Sequence, residues 1–254
     1  MKTAVFVKAG QMAIETIEKP SVIEVDDAII RVVRACVCGS DLWSYRGDDD
    51  KATHSANSGH EIIGIVEEVG SAINTVKKGD FVIAPFTHGC GHCAACRAGF
   101  EGGCQGHDRS TNFSSGYQAE YVRYAHADWS LVKIPGQPSD YSEGMIASLL
   151  ALADVMPTGY HAARVANVQK GDTVAVVGLC AVTAAKMRGA KRIIIMSRHK
   201  DRQELALEFG ATDIVEERGE EGVAKVLELT NGDGVDAALE CVGTQLSTET
   251  ALAI

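Results

Sequence analysis

Four cysteines are clustered in one short stretch, in the run Cys90-Gly-His-Cys93-Ala-Ala-Cys96 and, after seven intervening residues, Cys104. Four thiolates at this spacing can surround one zinc ion tetrahedrally and leave no position open, which is typical of a structural zinc site. An iron–sulfur run of the bacterial type has a shorter final gap followed by proline, and this sequence has neither. Two disulfides are the other alternative, which a reducing compartment disfavours. The spacing therefore predicts that this part of the chain folds around a structural zinc ion.

Length and charge limit the classes of protein to which the chain can belong. It has 254 residues, 46% of them hydrophobic, and a formal net charge of −10. A chain of this size can bury a sizeable core and is expected to form two domains. The negative charge argues against nucleic acid or an anionic membrane as a partner. Residues 1–8 have too short an apolar run for a signal peptide or a membrane span, so we expect a soluble, cytoplasmic protein.

The two halves of the chain show different patterns. The first half is typical of a barrel-like β domain, with predicted strands at residues 3–8, 28–34, 61–69, 80–85 and 118–124. After residue 172, strands and helices alternate, which is typical of a doubly wound parallel sheet. There the predicted strands are residues 173–177, 192–197, 211–215 and 235–242, and the predicted helices are 201–209 and 220–229. Asp201 and Glu204 form a candidate capping box for the first of these helices, and Gly210 is its predicted end. The fold class is therefore α/β.

A second candidate metal site lies outside the four-cysteine run. Cys38 is followed by Asp41, and His60 is followed by Glu61. A catalytic zinc ion uses three nitrogen, sulfur or carboxylate ligands and leaves one position open. The neighbouring carboxylates could orient these ligands through hydrogen bonds. Neither Cys38 nor His60 is diagnostic alone, because a single cysteine or histidine is more often a core or surface residue.

Several motifs, taken together and in this order, resemble the zinc-dependent medium-chain alcohol dehydrogenase family. They are Cys38-Gly39-Ser40-Asp41-Leu42, Gly59-His60-Glu61, the four-cysteine run, the turn and strand at 77–82, and the segment 158–161. The resemblance implies a GroES-like β-barrel catalytic domain at residues 1–155. It also implies a Rossmann-type NAD(P)-binding domain at residues 156–254, which is incomplete because only four of the six strands usual in that fold precede Ile254. The last strand, 235–242, is accordingly expected to expose an apolar edge.

The resemblance also implies the ligands of a catalytic zinc ion. Cys38 and His60 would be the first two ligands. The family uses cysteine, aspartate or glutamate as the third, and Asp154 stands at that place. Glu61 would support the ligands or replace one of them, and Ser40 would begin a proton relay. Thr158 would lie near the nicotinamide.

The sequence around Asp154 is compatible with a ligand at the end of a helix. Asp140 and Glu143 are candidates for a capping pair that opens an apolar helix at residues 145–152. Pro157 is expected to break that helix, because proline disfavours helix at the residue before it. The alternative is that Asp154 is simply exposed near the break.

The cofactor half departs from the family pattern. A Rossmann domain binds pyrophosphate through a G-x-G-x-x-G turn, whereas here Val176-Val177-Gly178-Leu179 carries a single glycine. We therefore expect fewer backbone N–H groups to face the pyrophosphate and weak cofactor binding. After the second strand, Ser197 and Arg198 stand where an NAD enzyme has an acidic residue, which favours NADP over NAD. A solvated surface role for Arg198 is the alternative.

The hypothesis is a zinc-dependent alcohol dehydrogenase-like oxidoreductase with one catalytic and one structural zinc ion. Its substrates would be small alcohols, aldehydes or ketones, and homo-oligomers are possible. The first alternative is a catalytically impaired or non-catalytic zinc-binding relative that binds cofactor poorly. A redox- or zinc-responsive interaction module is the second, and only the number of cysteines favours it.

Overall fold

The computed structural model describes residues 1–49, 53–54, 58–106 and 116–254, which form two compact units. The first unit is Met1–Asp154 and the second is Val155–Ile254. Among the described residues, no helix combines the length and the apolar character needed to cross a bilayer.

The first unit is built mainly from antiparallel strands. Its strands are β1 (Lys2–Lys8), β2 (Gln11–Thr16), β3 (Ala28–Ala35), β4 (Ile62–Val69), β5 (Phe81–Ala84), β6 (Tyr121–Tyr124) and β7 (Val132–Ile134). Five of them form one sheet in the order β6-β3-β4-β5-β7. β1 and β2 form a separate hairpin, which an isolated bridge between Thr3 and Ala119 connects to the rest of the unit. The sequence pattern did not predict β2 or β7.

Both faces of the five-stranded sheet are covered, which explains the continuous apolar run in β4. Ile62 belongs to a core cluster with Val82 and Tyr124. Its neighbour Ile63 points to the opposite face, where it packs in a second cluster with Phe81. Successive side chains of a strand point to opposite faces, so residues 62–66 of β4, which are all buried, carry no polar side chain.

The helices of the first unit are short, and one of them covers the second face of the sheet. They are α1 (Leu42–Arg46), α2 (Ala94–Arg97), α3 (Ala127–Ser130) and α4 (Glu143–Leu150). Helix α4 contributes Ile146 and Leu150 to the core cluster around Ile63. The predicted capping pair of Asp140 and Glu143 is wrong. The hydroxyl of Ser142 accepts the N-cap hydrogen bond from the backbone N–H of Met145, because Ser142 is the last extended residue before the helix.

The predicted helix break at Pro157 is also wrong. A 3₁₀ turn, Ala151–Ala153, follows α4, and the chain leaves helical geometry at Asp154, whose φ is −150° and ψ is −67°. Helix α5 (Val155–Val165) then begins, and Pro157 lies within its first turn. Proline is tolerated there because the first backbone N–H groups of a helix have no intrahelical acceptor.

The second unit alternates strands and helices, as the sequence predicts. Its elements after α5 are β8 (Thr173–Val177), α6 (Leu179–Met187), β9 (Arg192–Met196), α7 (Lys200–Phe209), β10 (Asp213–Val215), α8 (Gly219–Leu229), β11 (Ala237–Glu240) and α9 (Gln245–Leu252). The four strands are parallel, in the order β10-β9-β8-β11. The α/β fold class is confirmed. Gly210 does end α7, with φ +115°, but His199 rather than Asp201 is the residue before the helix, and no side chain caps it.

Apolar side chains on both faces of this sheet hold the second unit together. Val176, Ile193 and Ile195 pack with Val182 on one face. On the other face Ile194 packs with residues of β10 and α8. At the amino-terminal ends of the strands, Arg192 makes two hydrogen bonds to the carboxylate of Asp213, at 2.8 and 2.7 Å. These bonds join β9 to β10. Core packing therefore fixes the positions of the strands and of the loops that follow their carboxyl-terminal ends.

Candidate functional site

The structure brings Cys38, His60, Glu61 and Asp154 together in the first unit. One potential ligand atom from each residue lies within 4.8 Å of the others. Antiparallel pairing of β3 with β4, with Ala35 opposite Ile62, places the segment after β3 beside the segment before β4. Asp154 reaches the same place because the chain turns there between the 3₁₀ segment and α5. A soft thiolate, an imidazole and carboxylates form a donor set that suits zinc.

Asp41 links two members of this cluster. One of its oxygens lies 2.9 Å from Nδ1 of His60. Its other oxygen accepts a hydrogen bond of 2.8 Å from the backbone N–H of Cys38. A carboxylate on Nδ1 keeps that nitrogen protonated and directs the other ring nitrogen outward, as is typical of metal-binding histidines. Nε2 of His60 points towards Asp154, at 3.1 Å from Oδ2.

The electrostatics of His60 reflect its two acidic neighbours. Burial lowers the pKa of its imidazole, but the hydrogen bonds with Asp154 and Asp41 outweigh burial and raise the pKa to about 10. Nε2 of His60 and Oδ2 of Asp154 face each other at 3.1 Å. A cation at the same place would satisfy both groups, and this gives the donor set a direct physical fit to a metal ion.

Glu61 provides a second test of that fit. Its side chain is 1% exposed, and among the described residues neither carboxylate oxygen has a hydrogen-bond partner of normal geometry. Burial, followed by the charge of Asp154, raises the pKa of Glu61, while the nearby Cys36 thiol lowers it. A buried carboxylate without such a partner is costly. A metal ion within reach of its oxygens would remove that cost.

Cys36 lies beside the cluster but differs from Cys38. Burial and the charge of Glu61 raise the pKa of the Cys36 thiol to about 12. Cys36 is also not a member of the donor cluster, whose four residues are Cys38, His60, Glu61 and Asp154. The sequence analysis did not select it.

The four cysteines of the opening motif also come together. One Sγ atom from each of Cys90, Cys93, Cys96 and Cys104 lies within the same 4.8 Å limit. The backbone N–H groups of Cys90 and Gly106 donate to Sγ of Cys104 at 3.4 and 3.3 Å. Backbone donors from Cys96 and Gln105 lower the pKa of Cys93 to about 6. Donors of this kind stabilise thiolates, and every cysteine of the chain is free of disulfide bonds.

Ser40 is predicted to begin a proton relay, and Thr158 is predicted to lie near the nicotinamide. Ser40 is half-buried in the turn between Cys38 and α1, where its carbonyl accepts a hydrogen bond from the backbone of Trp43. Thr158 is exposed on α5 and belongs to the second unit. Trp43 is 60% exposed. The ring of Phe86 stands edge-on to His60, with the ring centroids 6.0 Å apart.

A cavity of about 240 Å³ lies in the second unit. It sits where the strands of the parallel sheet end, which is the usual ligand-binding edge of such sheets. Gly178, Ser197 and Arg198, three of the four predicted cofactor-binding residues, line it, whereas Thr158 is not among its lining residues. Seventeen residues line the cavity: Val177, Gly178, Leu179, Ile195, Met196, Ser197, Arg198, His199, Arg202, Glu216, Glu217, Arg218, Val242, Thr244, Leu246, Ser247 and Thr250.

The strand-to-helix turn beside this cavity is as short as the sequence suggests. Gly178 alone separates β8 from α6. Its φ is +137°, and a Cβ atom placed there would lie 2.7 Å from the Cβ atom of Cys241. Only glycine fits such a position without strain. The N-terminus of α6 remains at the cavity, since Leu179 lines it.

The sequence analysis missed two arginines of this cavity, Arg202 and Arg218. Arg202 lies in the first turn of α7, and Arg218 is the residue before α8. Their positions just after two successive strand ends were the only available signal, because parallel strands end at the same edge of a sheet.

The fold and the two donor clusters define a class, the zinc-binding dehydrogenases, and comparisons with known proteins test this assignment. The family model described as alcohol dehydrogenase GroES-like domain matches residues 24–136. The model described as zinc-binding dehydrogenase matches residues 176–254.

Individual relatives agree. Zinc-type alcohol dehydrogenase B of Aspergillus flavus is 37% identical over 262 residues, which cover 96% of this chain and 58% of that protein. An alcohol dehydrogenase of Cupriavidus necator is 34% identical over 277 residues, covering 100% of this chain and 73% of the relative. The apo structure of zinc dependent alcohol dehydrogenase 2 from Streptococcus pneumonia superimposes with a TM-score of 0.89 at 34% identity, covering 100% of this chain and 72% of that chain.

The chain belongs to the zinc-dependent medium-chain alcohol dehydrogenase family. It spans little more than half the length of the Aspergillus flavus relative, at 58%. The predicted GroES-like and Rossmann-type folds are confirmed.

Proposed function

We propose that this chain is a zinc-dependent oxidoreductase that transfers hydride between a small alcohol or carbonyl compound and NADP(H). The observation that carries the proposal is the donor cluster of Cys38, His60, Glu61 and Asp154, whose potential ligand atoms lie within 4.8 Å of one another. Residues 1–155 would form the catalytic domain and residues 156–254 the dinucleotide-binding domain. The clustering of four cysteines as one ligand set fits the expectation of a reducing, cytoplasmic compartment.

In this proposal Cys38, His60 and Asp154 hold the catalytic zinc ion. Glu61 stands behind them as a support or an alternate ligand, because its buried oxygens face the same cluster. Zinc, when bound there, supplies Lewis-acid chemistry that lowers the pKa of an alcohol oxygen. Cys90, Cys93, Cys96 and Cys104 hold a separate structural zinc ion with no open position.

The chain's own side chains supply the positioning and the proton path. Asp41 fixes the ring of His60 and the backbone of Cys38. The hydroxyl of Ser40, in the same turn, would take up the substrate proton at its Oγ atom. Trp43, three residues later, has no ionisable group, so the proton would pass from Ser40 to water. Phe86 provides an apolar wall beside His60, which favours substrates with a small apolar substituent.

The cavity at the sheet edge would hold the adenosine end of the cofactor. Ser197 and Arg198 follow β9, where an NAD enzyme places a carboxylate, so they favour the 2′-phosphate of NADP. The N-terminus of α6 offers backbone N–H groups to the pyrophosphate, and the single-residue turn at Gly178 limits how many can do so. Thr158 is proposed to lie near the nicotinamide.

Metal content and turnover test this function together. Purified protein is expected to contain about two zinc ions per chain, as two complete ligand sets require, and to oxidise NADPH in the presence of small aldehydes or ketones. His60→Gln is expected to remove one zinc ion and to lower kcat/KM by more than about 100-fold. His54→Gln is the matched control, since His54 is an exposed histidine paired with Glu15.

Two results would contradict the proposal. If His60→Gln retained two zinc ions and its activity, the cluster would not be the catalytic centre. If the wild-type protein held two zinc ions but neither bound NADPH in a fluorescence titration nor turned over any small alcohol or carbonyl compound, the zinc-binding relative without activity would be the correct function.

A further inference from the structure

The cavity of the second unit is lined by more arginines than Arg198, the one that was predicted from the sequence. Three arginines line it, Arg198, Arg202 and Arg218, and all three are exposed to solvent. Within the described ranges, none of the three takes part in an ion pair, whereas Arg192 of β9 pairs with Asp213. Like charges that share a cavity repel one another, and a bound anion relieves that repulsion.

We propose that Arg218 and Arg202 complete, with Arg198, a phosphate subsite that recognises the 2′-phosphomonoester of an adenosine ribose. Arg218 is thereby assigned as a residue that determines specificity for the phosphorylated cofactor. This proposal rests on the dinucleotide-binding function proposed above and makes it more specific, because the anion is bound by two loops rather than by the Ser197-Arg198 loop alone.

Sheet topology places the two loops side by side. β9 and β10 are neighbouring parallel strands, and Met196 pairs with Val215 at their ends. The backbone N–H of Ser197 continues this pairing with a 3.0 Å hydrogen bond to the carbonyl of Val215. The loop after β9, which carries Arg198, therefore leaves the sheet next to the loop after β10, which carries Arg218.

Buried contacts hold the first loop in place. The side-chain amide of Gln203 donates a 2.6 Å hydrogen bond to the carbonyl of Ser197. Gln203 is itself buried at 4% exposure, and it belongs to the same helix as Arg202. A guanidinium that is positioned by a fixed backbone loses less conformational freedom when it binds phosphate.

The acidic residues of the cavity do not cancel this charge. Glu216 is paired with the ammonium group of Lys200, which lowers the pKa of that carboxyl. Glu217 accepts a hydrogen bond from the backbone N–H of Glu216, at 3.1 Å. Three arginines thus share the cavity with two glutamates, one of which is paired with Lys200. A phosphomonoester dianion matches this excess, and guanidinium groups bind phosphate through two parallel hydrogen bonds.

The alternative is that the same cavity binds the unmodified ribose of NAD. An enzyme specific for NAD binds the ribose hydroxyls with a carboxylate, and Glu217 is the residue that could do so here. The proposal therefore predicts a preference for the 2′-phosphorylated ribose, whereas the alternative predicts a preference for the unmodified ribose.

A pair of nucleotide fragments tests the subsite without any need for turnover. The intact protein is titrated by calorimetry with adenosine 2′,5′-bisphosphate and with adenosine 5′-diphosphate. Wild-type protein is expected to bind the 2′,5′-bisphosphate at least about tenfold more tightly, since a charge-assisted contact contributes about 1.5–3 kcal/mol and each tenfold corresponds to 1.4 kcal/mol.

Substitutions then identify the residues. Arg218→Gln and Arg202→Gln are each expected to reduce the ratio of the two affinities by about five- to tenfold. Each should leave the affinity for adenosine 5′-diphosphate unchanged, which also shows that the variant is folded. Arg164→Gln, an exposed arginine of α5 that does not line the cavity, is the matched control and should keep the wild-type ratio.

The outcomes separate this subsite from the proposed function. A wild-type ratio near one, or an unchanged ratio in Arg218→Gln, would overturn the assignment of Arg218. A high ratio that Arg218→Gln abolishes would support the subsite even if the protein had no dehydrogenase activity. Conversely, turnover with NADH and equal affinity for the two fragments would support the oxidoreductase and reject the phosphate subsite.

Discussion

The imidazole of His60 and the carboxylate of Asp154 lie 3.1 Å apart, although the two residues are 94 positions apart in the sequence. His60 stands just before β4, in the sheet, whereas Asp154 stands at the break between two helical segments. Their contact therefore depends on the packing of α4 against the sheet. This packing places the segment after α4, with Asp154, beside the start of β4.

Substitution of Asp154 tests whether this contact marks a metal site. Asp154→Ala is expected to lower the zinc content from about two ions to one per chain, because three protein ligands are needed to hold a catalytic ion. Asp154→Cys is expected to keep both ions, since thiolate is an equally good zinc ligand. Elemental analysis after gel filtration measures the difference. Asp233→Ala, at an exposed position of the second unit, is the control. Two ions in Asp154→Ala would show that Asp154 is not required, and that Glu61 replaces it as the third ligand.

Asp41 is expected to act through the ligands that it positions. It accepts a hydrogen bond from the backbone of Cys38 and pairs with Nδ1 of His60. Asp41→Asn retains the shape of the side chain but loses its charge, and it should weaken zinc binding at this site by about 10- to 100-fold. Competition with a chelator measures the affinity. The four-cysteine site serves as the internal reference, and equal weakening at both sites would point to a general loss of structure.

The ion pair of Arg192 and Asp213 makes the stability of the second unit depend on pH. The hydrogen bonds from Arg192 lower the pKa of Asp213 in the folded protein. A carboxyl whose folded pKa is lowered stabilises the fold above its unfolded pKa and loses this effect as the pH falls through the folded value. Asp213→Asn should therefore lower the free energy of unfolding by about 1–2 kcal/mol at neutral pH, and by progressively less below about pH 4.

Denaturant unfolding at several pH values measures this difference. Asp201→Asn, at an exposed position on α7, is the control and should change the free energy of unfolding by less than about 0.5 kcal/mol at each pH. A destabilisation by Asp213→Asn that is the same at pH 3 and pH 7 would show that the pair does not titrate as described.

The turn at Gly178 is expected to tolerate only glycine. A Cβ atom there would meet Cys241 at 2.7 Å, and the φ of +137° is unfavourable for any other residue. Gly178→Ala should destabilise the second unit by about 1–3 kcal/mol and weaken NADPH binding, because the turn lines the cofactor cavity. Gly144→Ala is the control, since a Cβ atom at Gly144 meets nothing within 4 Å and alanine favours helix. Thermal unfolding and a fluorescence titration measure the two effects, and equal melting temperatures for the two variants would contradict the prediction.

Some features of this protein could be predicted from the sequence because they are local. The spacing of Cys90, Cys93, Cys96 and Cys104 predicts a common ligand set, since the chain between them is too short to separate the thiols widely. The apolar run of residues 173–177 predicts β8, and the alternation of such runs with helices predicts a parallel sheet. Gly210 marks the end of α7 because only glycine readily adopts its left-handed conformation.

Other features were decided by contacts between distant parts of the chain. The helix break was predicted at Pro157, but the structure has it at Asp154. The first turn of a helix accepts proline, and packing fixes where the preceding helix ends. Arg202 and Arg218 share a cavity only because the strand order places β10 beside β9. The sequence thus determined which donors and turns were present, since spacing and backbone propensity act over a few residues. The tertiary structure decided which of them meet, because strand pairing and helix packing bring together residues that the sequence separates by tens of positions.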